Sequence, residues 1–101
     1  MLRMKIQNGD VVIVVLKDPR EKVLGIIEEI EDAGLFLRGI DLNYFEEWTM
    51  AIKKGEPYLA MQDLFFPMWR VERVSKDKES AGVPSMADQF EKRTGIRLKE
   101  F

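Results

Sequence analysis

Residues 11–42 (VVIVVLKDPREKVLGIIEEIEDAGLFLRGIDL) constrain the fold more than any other part of the chain. They open on an uninterrupted apolar run at 11–16 whose valines and isoleucine suit a pleated surface, so a buried strand is expected there. The next segment admits two readings. Asp18, Pro19 and Glu21 supply an N-cap candidate, a proline at the first helical position and an acid at the capping-box position. Val23, Ile26, Ile27 and Ile30 recur at helical spacing, and a helix over 19–33 stopped at Gly34 would build a βαβ unit. Gly25 in the middle and the density of β-branched side chains favour instead a strand at 22–31, bent at its glycine. A further strand is expected at 35–40.

The clearest helical pattern is 43–55. Asn43 can cap, Glu46 sits three residues on, Phe45, Trp48 and Ile52 share a face, and Lys53 and Lys54 suit the negative C-terminal end before Gly55. Segments 58–66 and 69–74 read as short strands around a tight turn at Pro67. Residues 75–84 (SKDKESAGVP) have the composition of a polar linker, after which Ser85 and Asp88 start a final helix carrying Met86 and Phe90 and stopped near Gly95. One helical turn over residues 2–8, ending at Gly9, is expected at the start of the chain.

A chain of 101 residues supports one hydrophobic core and one domain, and 46% hydrophobic with 34% charged residues is an ordinary globular balance. The net charge of -2 offers no general attraction to a polyanion, so nucleic-acid binding would need a local basic patch. There is no histidine, which removes the commonest general base, the usual partner of a nucleophilic serine and the commonest transition-metal ligand. Isolated glycines at 25, 34 and 39 do not form a phosphate-cradling loop. The chain is therefore expected not to be an enzyme, with no catalytic residue, metal site or cofactor; a carboxylate-dependent enzyme on an α/β fold is the remote alternative. The absence of cysteine fits a reducing, cytoplasmic setting. The apolar run at 11–16 is too short to span a bilayer, and no small-residue cleavage site follows it, so no membrane association is expected.

The order of these elements resembles the Sm-like family, which includes the LSm proteins and the bacterial RNA chaperone Hfq. The first family motif pairs a V-x-V-x-L strand and a turn with a strongly bent strand holding a glycine, an acidic turn and a third strand. Residues 13–16, Gly25, Ile30 with Glu31, and residues 35–37 fall in those places. The second motif, a strand, a tight turn and a strand, is matched by Phe65 and Phe66 followed by Val71 and Val74. The resemblance covers about half of the chain. It implies a mainly β, five-stranded bent barrel of Sm-like or SH3-like form over residues 1–74, with a short N-terminal helix. The helix at 44–54 becomes an insertion between the third and fourth strands. Residues 75–84 are then a linker, and 85–101 an added C-terminal helix and tail. It also favours the strand reading of 22–31 and implies a homo-oligomeric ring built by pairing open strand edges.

The RNA-reading positions of the family do not carry over. The turn after the bent strand is Glu31-Asp32-Ala33-Gly34, where uridine-binding members have an Asp, an aromatic or His, and an Asn; Pro67-Met68 stands where they have Arg-Gly. The candidate binding surface for nucleic acid or a partner is Phe66 and Trp69, with Arg70 and Arg73 as phosphate contacts and Arg38 as a nucleotide contact. Simpler readings stand beside it. Phe65, Phe66, Met68 and Trp69 fill the core or a subunit interface, Arg38-Gly39 ends a strand, and the Trp48 helix face covers its own sheet. Glu28, Glu29, Glu31 and Asp32 read as a solvated acidic edge in preference to a hard-cation site. The sequence thus points to a non-catalytic ring that binds or scaffolds, either with altered RNA specificity or as a protein scaffold without RNA binding.

Overall fold

A computed structural model describes residues 6–101 of the chain. The expected N-terminal helical turn falls mostly outside the described residues, and Ile6 to Asn8 are not helical. Five strands form one antiparallel sheet: β1 (Val11–Leu16), β2 (Glu21–Ile30), β3 (Gly34–Asp41), β4 (Gln62–Pro67) and β5 (Val71–Lys76). Their spatial order is β4-β3-β2-β1-β5. Two helices, α1 (Phe45–Lys54) and α2 (Met86–Thr94), complete the fold. Among the described residues no helix is long and apolar enough to cross a membrane.

Strands β1 and β2 read as continuous apolar runs because the sheet centre is covered on both faces. Val12, Val14 and Leu16 of β1 join Val23 and Ile27 of β2 and Leu35 and Leu37 of β3 in an inner cluster, against which Leu64, Phe66, Val71 and Val74 pack. Alternate residues, Leu24, Ile26 and Ile40, face the opposite way and meet Phe45, Trp48, Phe90 and Leu98 from the helical segments. The helical alternative for 19–33 is thereby excluded, since β2 pairs with β1 and β3 along its length. Its register shifts between Ile27 and Glu29, which inserts Glu28 as an extra residue. The bulge leaves Glu28 and Glu29 both in solvent and returns Ile30 to the inner cluster, a result strict alternation would not allow.

Gly25 and Gly39 are direct cross-strand partners on the inner face. A β-carbon on Gly25 would stand 2.5 Å from Leu37 Cδ1, and one on Gly39 would stand 2.6 Å from the Leu24 carbonyl oxygen. The side-chain-free pair lets Leu37 fold over the strand crossing and keeps the two backbones in close approach.

Helix α1 is inserted between β3 and β4, as expected, but its start differs. Tyr44 is the N-cap residue and makes no side-chain capping bond, so Asn43 is not the cap. A 3-10 turn at Leu42–Tyr44 precedes the helix, and the Asp41 carboxylate accepts from the Asn43 N–H at 2.8 Å. Gly55, in the left-handed region at φ 71°, ends α1. Trp48 is fully buried, and its indole N–H donates to the Leu59 carbonyl at 2.7 Å, pinning the returning chain. The Trp48 face thus covers its own sheet.

Ser85 caps α2, with its hydroxyl accepting from the Asp88 N–H at 3.0 Å. Asp77 adds a clasp across the intervening loop: its two carboxylate oxygens accept from Met86 N–H at 2.7 Å and Ala87 N–H at 2.8 Å. Phe90 stacks on Trp48 at 4.9 Å between ring centroids, and Phe101 meets both rings edge-on. An Arg93–Glu46 ion pair at 2.7 Å ties α2 to α1.

The expected barrel needs correcting. Five strands are present, but the sheet is not closed: β4 pairs only with β3, and β5 only with β1. A 3-10 turn at Met68–Arg70 links the two edge strands, which occupy 62–67 and 71–76 and not the expected 58–66 and 69–74. Pro67 ends β4 without an N–H to donate, so the chain leaves one edge there and rejoins the sheet at the other.

Candidate interaction surface

Several large apolar side chains are exposed at the β4–β5 limb. Leu64 and Phe66 point to the inner cluster and are half-buried, while Phe65 points outward and is 45% exposed. Its cross-strand partner Phe36, 36% exposed, stacks against it at 4.7 Å with a 49° tilt. The Phe65 ring and the Phe66 carbonyl lie where a β-carbon on Gly34 would be, so a side chain at 34 would displace the pair. Beyond β4, Met68 is exposed and Trp69 is 63% exposed. Trp69 therefore does not fill the core of its own chain.

Arg70 is committed elsewhere. Its Nε donates to the Lys17 carbonyl at 3.1 Å, and its Nη2 donates to the Pro19 carbonyl at 2.9 Å and to Glu21 Oε2 at 2.7 Å. The guanidinium carbon also lies 6.0 Å from the Phe66 ring centroid. The Lys17 N–H returns a bond to the Arg70 carbonyl at 2.8 Å. Arg70 thus locks the β4–β5 turn onto the β1–β2 turn, and the planar fork that would hold a phosphate is occupied by backbone and carboxylate.

Arg38 is on a different part of the molecule from the β4–β5 turn. It lies opposite Ile26, on the outward face of the sheet, and its Nη2 donates to the Lys99 carbonyl at 3.2 Å. Its buried Nε has no partner among the described residues. It anchors the C-terminal segment. Arg73, on β5 opposite Val15, is exposed, and no described residue forms an ion pair with it. Of the expected set, the structure brings together Phe66, Trp69 and Arg70; Arg73 sits further along β5, and Arg38 stands apart.

The acidic turn is a neighbour of this limb. Glu31 and Gly34 exchange both backbone hydrogen bonds, at 2.9 and 3.2 Å, and the Met68 N–H donates to the Ala33 carbonyl at 3.0 Å. Glu31 and Asp32 are exposed beside the 3-10 turn. Negative charge at that place opposes phosphate. Among the described residues no three His, Cys, Asp or Glu side chains cluster as a metal site would require.

A cavity of 110 Å³ at the rim of the inner cluster is lined by Ile6, Ile30, Leu35, Met68, Val71 and Val74, with no polar group to orient a ligand. A broader groove of 560 Å³ beside α1 carries Glu46, Glu47, Glu56 and Tyr44, but Glu46 is spent on Arg93. Sequence reasoning missed Phe36. A signal for Phe36 existed: it is the outward position between Leu35 and Leu37 in a strand of otherwise regular alternation.

The described residues form an open, mainly β sheet protein with both helices laid over one face. No family model matches the chain, and no curated protein or solved structure matches it.

Proposed function

We propose that this chain is a non-catalytic, Sm-like building block whose copies join through their strand edges into a closed homo-oligomeric ring, and that the ring is a protein-interaction scaffold. One observation carries the proposal: the sheet ends in two edges, β4 and β5, neither of which pairs with the other inside the chain. An exposed strand edge presents a row of unpaired N–H and C=O groups that another chain can complete. Half-buried Leu64, Phe66, Val71 and Val74 line both edges, so pairing would add apolar burial to the ladder bonds. The strand order and the 3-10 link between β4 and β5 support the Sm-like reading, and the lack of histidine supports a non-catalytic role.

Scaffolding is favoured over RNA binding by two features of the limb: Arg70 is engaged by the β1–β2 turn, and Glu31 and Asp32 flank the exposed aromatic residues. Light scattering at micromolar concentration should give several times the 11.8 kDa chain mass. A monomer throughout that range overturns the ring. Titration with uridine-rich and adenosine-rich oligomers should show weak binding that falls steeply with salt and falls further on Arg73→Ala, the exposed arginine of the limb. A tight, base-selective complex that survives that substitution would assign the ring to RNA.

A further inference from the structure

We infer that the outward face of β3 and β4, at the end the helices leave bare, docks a protein segment in which lysine or arginine is interleaved with apolar side chains. The inference rests on the protein-interaction reading above and not on the ring, and it uses the face of the sheet and not its edges. The register sets three rows across this face: Leu24 and Ile40, then Ile26, Arg38 and Asp63, then Glu29, Phe36 and Phe65. The helical segments bury the first row and Ile26. They do not reach the last. Phe36 and Phe65 stack on each other, stay exposed and belong to neither core cluster. An aromatic pair left in water on an otherwise covered face is surface that a partner can bury.

The charge around the pair decides the chemistry of that partner. Glu29 is the direct cross-strand neighbour of Phe36, and Glu31 and Asp32 occupy the turn that joins β2 to β3. All three are exposed, and no described residue forms an ion pair with any of them. The bond from Met68 N–H to the Ala33 carbonyl holds the 3-10 turn that carries exposed Trp69 against this acidic turn. Arg38, the cation of the neighbouring row, donates to the Lys99 carbonyl. Carboxylates without counter-charges beside aromatic rings attract cations and repel phosphate. Exposed charges are screened and hold a purely basic chain weakly, whereas the rings hold any apolar segment without regard to its charge. A segment with both features satisfies both halves: its apolar side chains cover Phe36 and Phe65, while lysine or arginine stems lie along the rings and their heads reach the carboxylates.

The probe is a short labelled peptide of alternating lysine and leucine, titrated against the full chain by fluorescence anisotropy beside a lysine-only peptide and a glutamate–leucine peptide of the same length. The lysine–leucine peptide should bind, and its affinity should fall about tenfold between about 50 and about 500 mM salt. The lysine-only peptide should bind about tenfold more weakly, and the glutamate–leucine peptide not at all. Glu29→Lys with Glu31→Lys, and separately Phe65→Ala, should each weaken the lysine–leucine complex about tenfold, whereas Glu47→Lys in the acidic groove beside α1 should leave it within about twofold. Circular dichroism checks that each variant is folded; if Phe65→Ala is not, Trp69→Ala takes its place with an expected loss of about threefold. Equal binding of the glutamate–leucine peptide, or a loss with Glu47→Lys as large as with the paired reversal, overturns the surface. A paired reversal that changes the mass of the chain without peptide assigns the face to a second copy and overturns it as well. A lysine–leucine complex indifferent to both face variants removes this surface and keeps the protein-interaction reading. A chain that binds none of the three peptides removes the surface, while its mass still decides the ring.

Discussion

The two tryptophans of this chain sit in opposite settings. Trp48 is fully enclosed under the helices, stacked on Phe90 and hydrogen-bonded to the Leu59 carbonyl, whereas Trp69 stands 63% exposed at the junction of the two sheet edges. Both lie in segments rich in apolar residues. What separates them is what covers them: Trp48 sits under Phe90 and Phe101 against the sheet, whereas Trp69 stands on a turn between the two sheet edges. The helix-covered face is finished within one chain: the sheet beneath it is paired on both sides and capped by α1 and α2. The β4–β5 limb is unfinished within one chain, with open ladder edges beside exposed Phe65 and Trp69. An aromatic on a finished face contributes to folding; one on an unfinished limb is available for association.

That contrast can be broken most directly at Trp48. Trp48→Ala should cost about 3–5 kcal/mol of stability in a denaturant titration, from lost burial and an orphaned carbonyl. A cost as small as that of an exposed residue would mean the helical face is not the core. Gly39→Ala should cost about 1–3 kcal/mol, because the added methyl meets the Leu24 carbonyl, part of a rigid ladder that cannot move aside. Removing the clasp on α2 by Asp77→Ala should cost about 0.5–2 kcal/mol and expose the Trp48 stack, read as a shift in its fluorescence. Trp69→Ala should change the stability of the isolated chain by no more than about 0.5 kcal/mol while weakening self-association. Comparable losses at Trp48 and Trp69 would erase the distinction between the two regions.

Sequence reading recovered the finished region better than the unfinished one. The continuous apolar runs of β1 and β2, the glycine in β2 and the caps at Ser85, Gly55 and Gly95 are local signals, and each led to the observed element. The bulge at Glu28 was not legible, because a register shift belongs to the pairing of two strands and not to either alone. The Asn43 cap was displaced by one residue when Asp41 opened a 3-10 turn ahead of α1. On the limb, the sequence supplied the aromatic residues but not their partners. Arg70 appeared available for phosphate because Lys17, Pro19 and Glu21 are some fifty residues away in the chain, and only the fold brings them to it. Barrel closure was an expectation of resemblance, and the unpaired edges show where that expectation stops.

If β4 and β5 are completed by another copy, amide hydrogen exchange measured across a concentration series registers it at the residues concerned. The edge amides of β4 and β5 that have no acceptor within the chain should gain protection as concentration rises, in step with the mass, while the amides of β2 stay protected throughout. Edge amides that exchange at the same fast rate at every concentration, even as the mass increases, would contradict it by placing the contact between copies somewhere else.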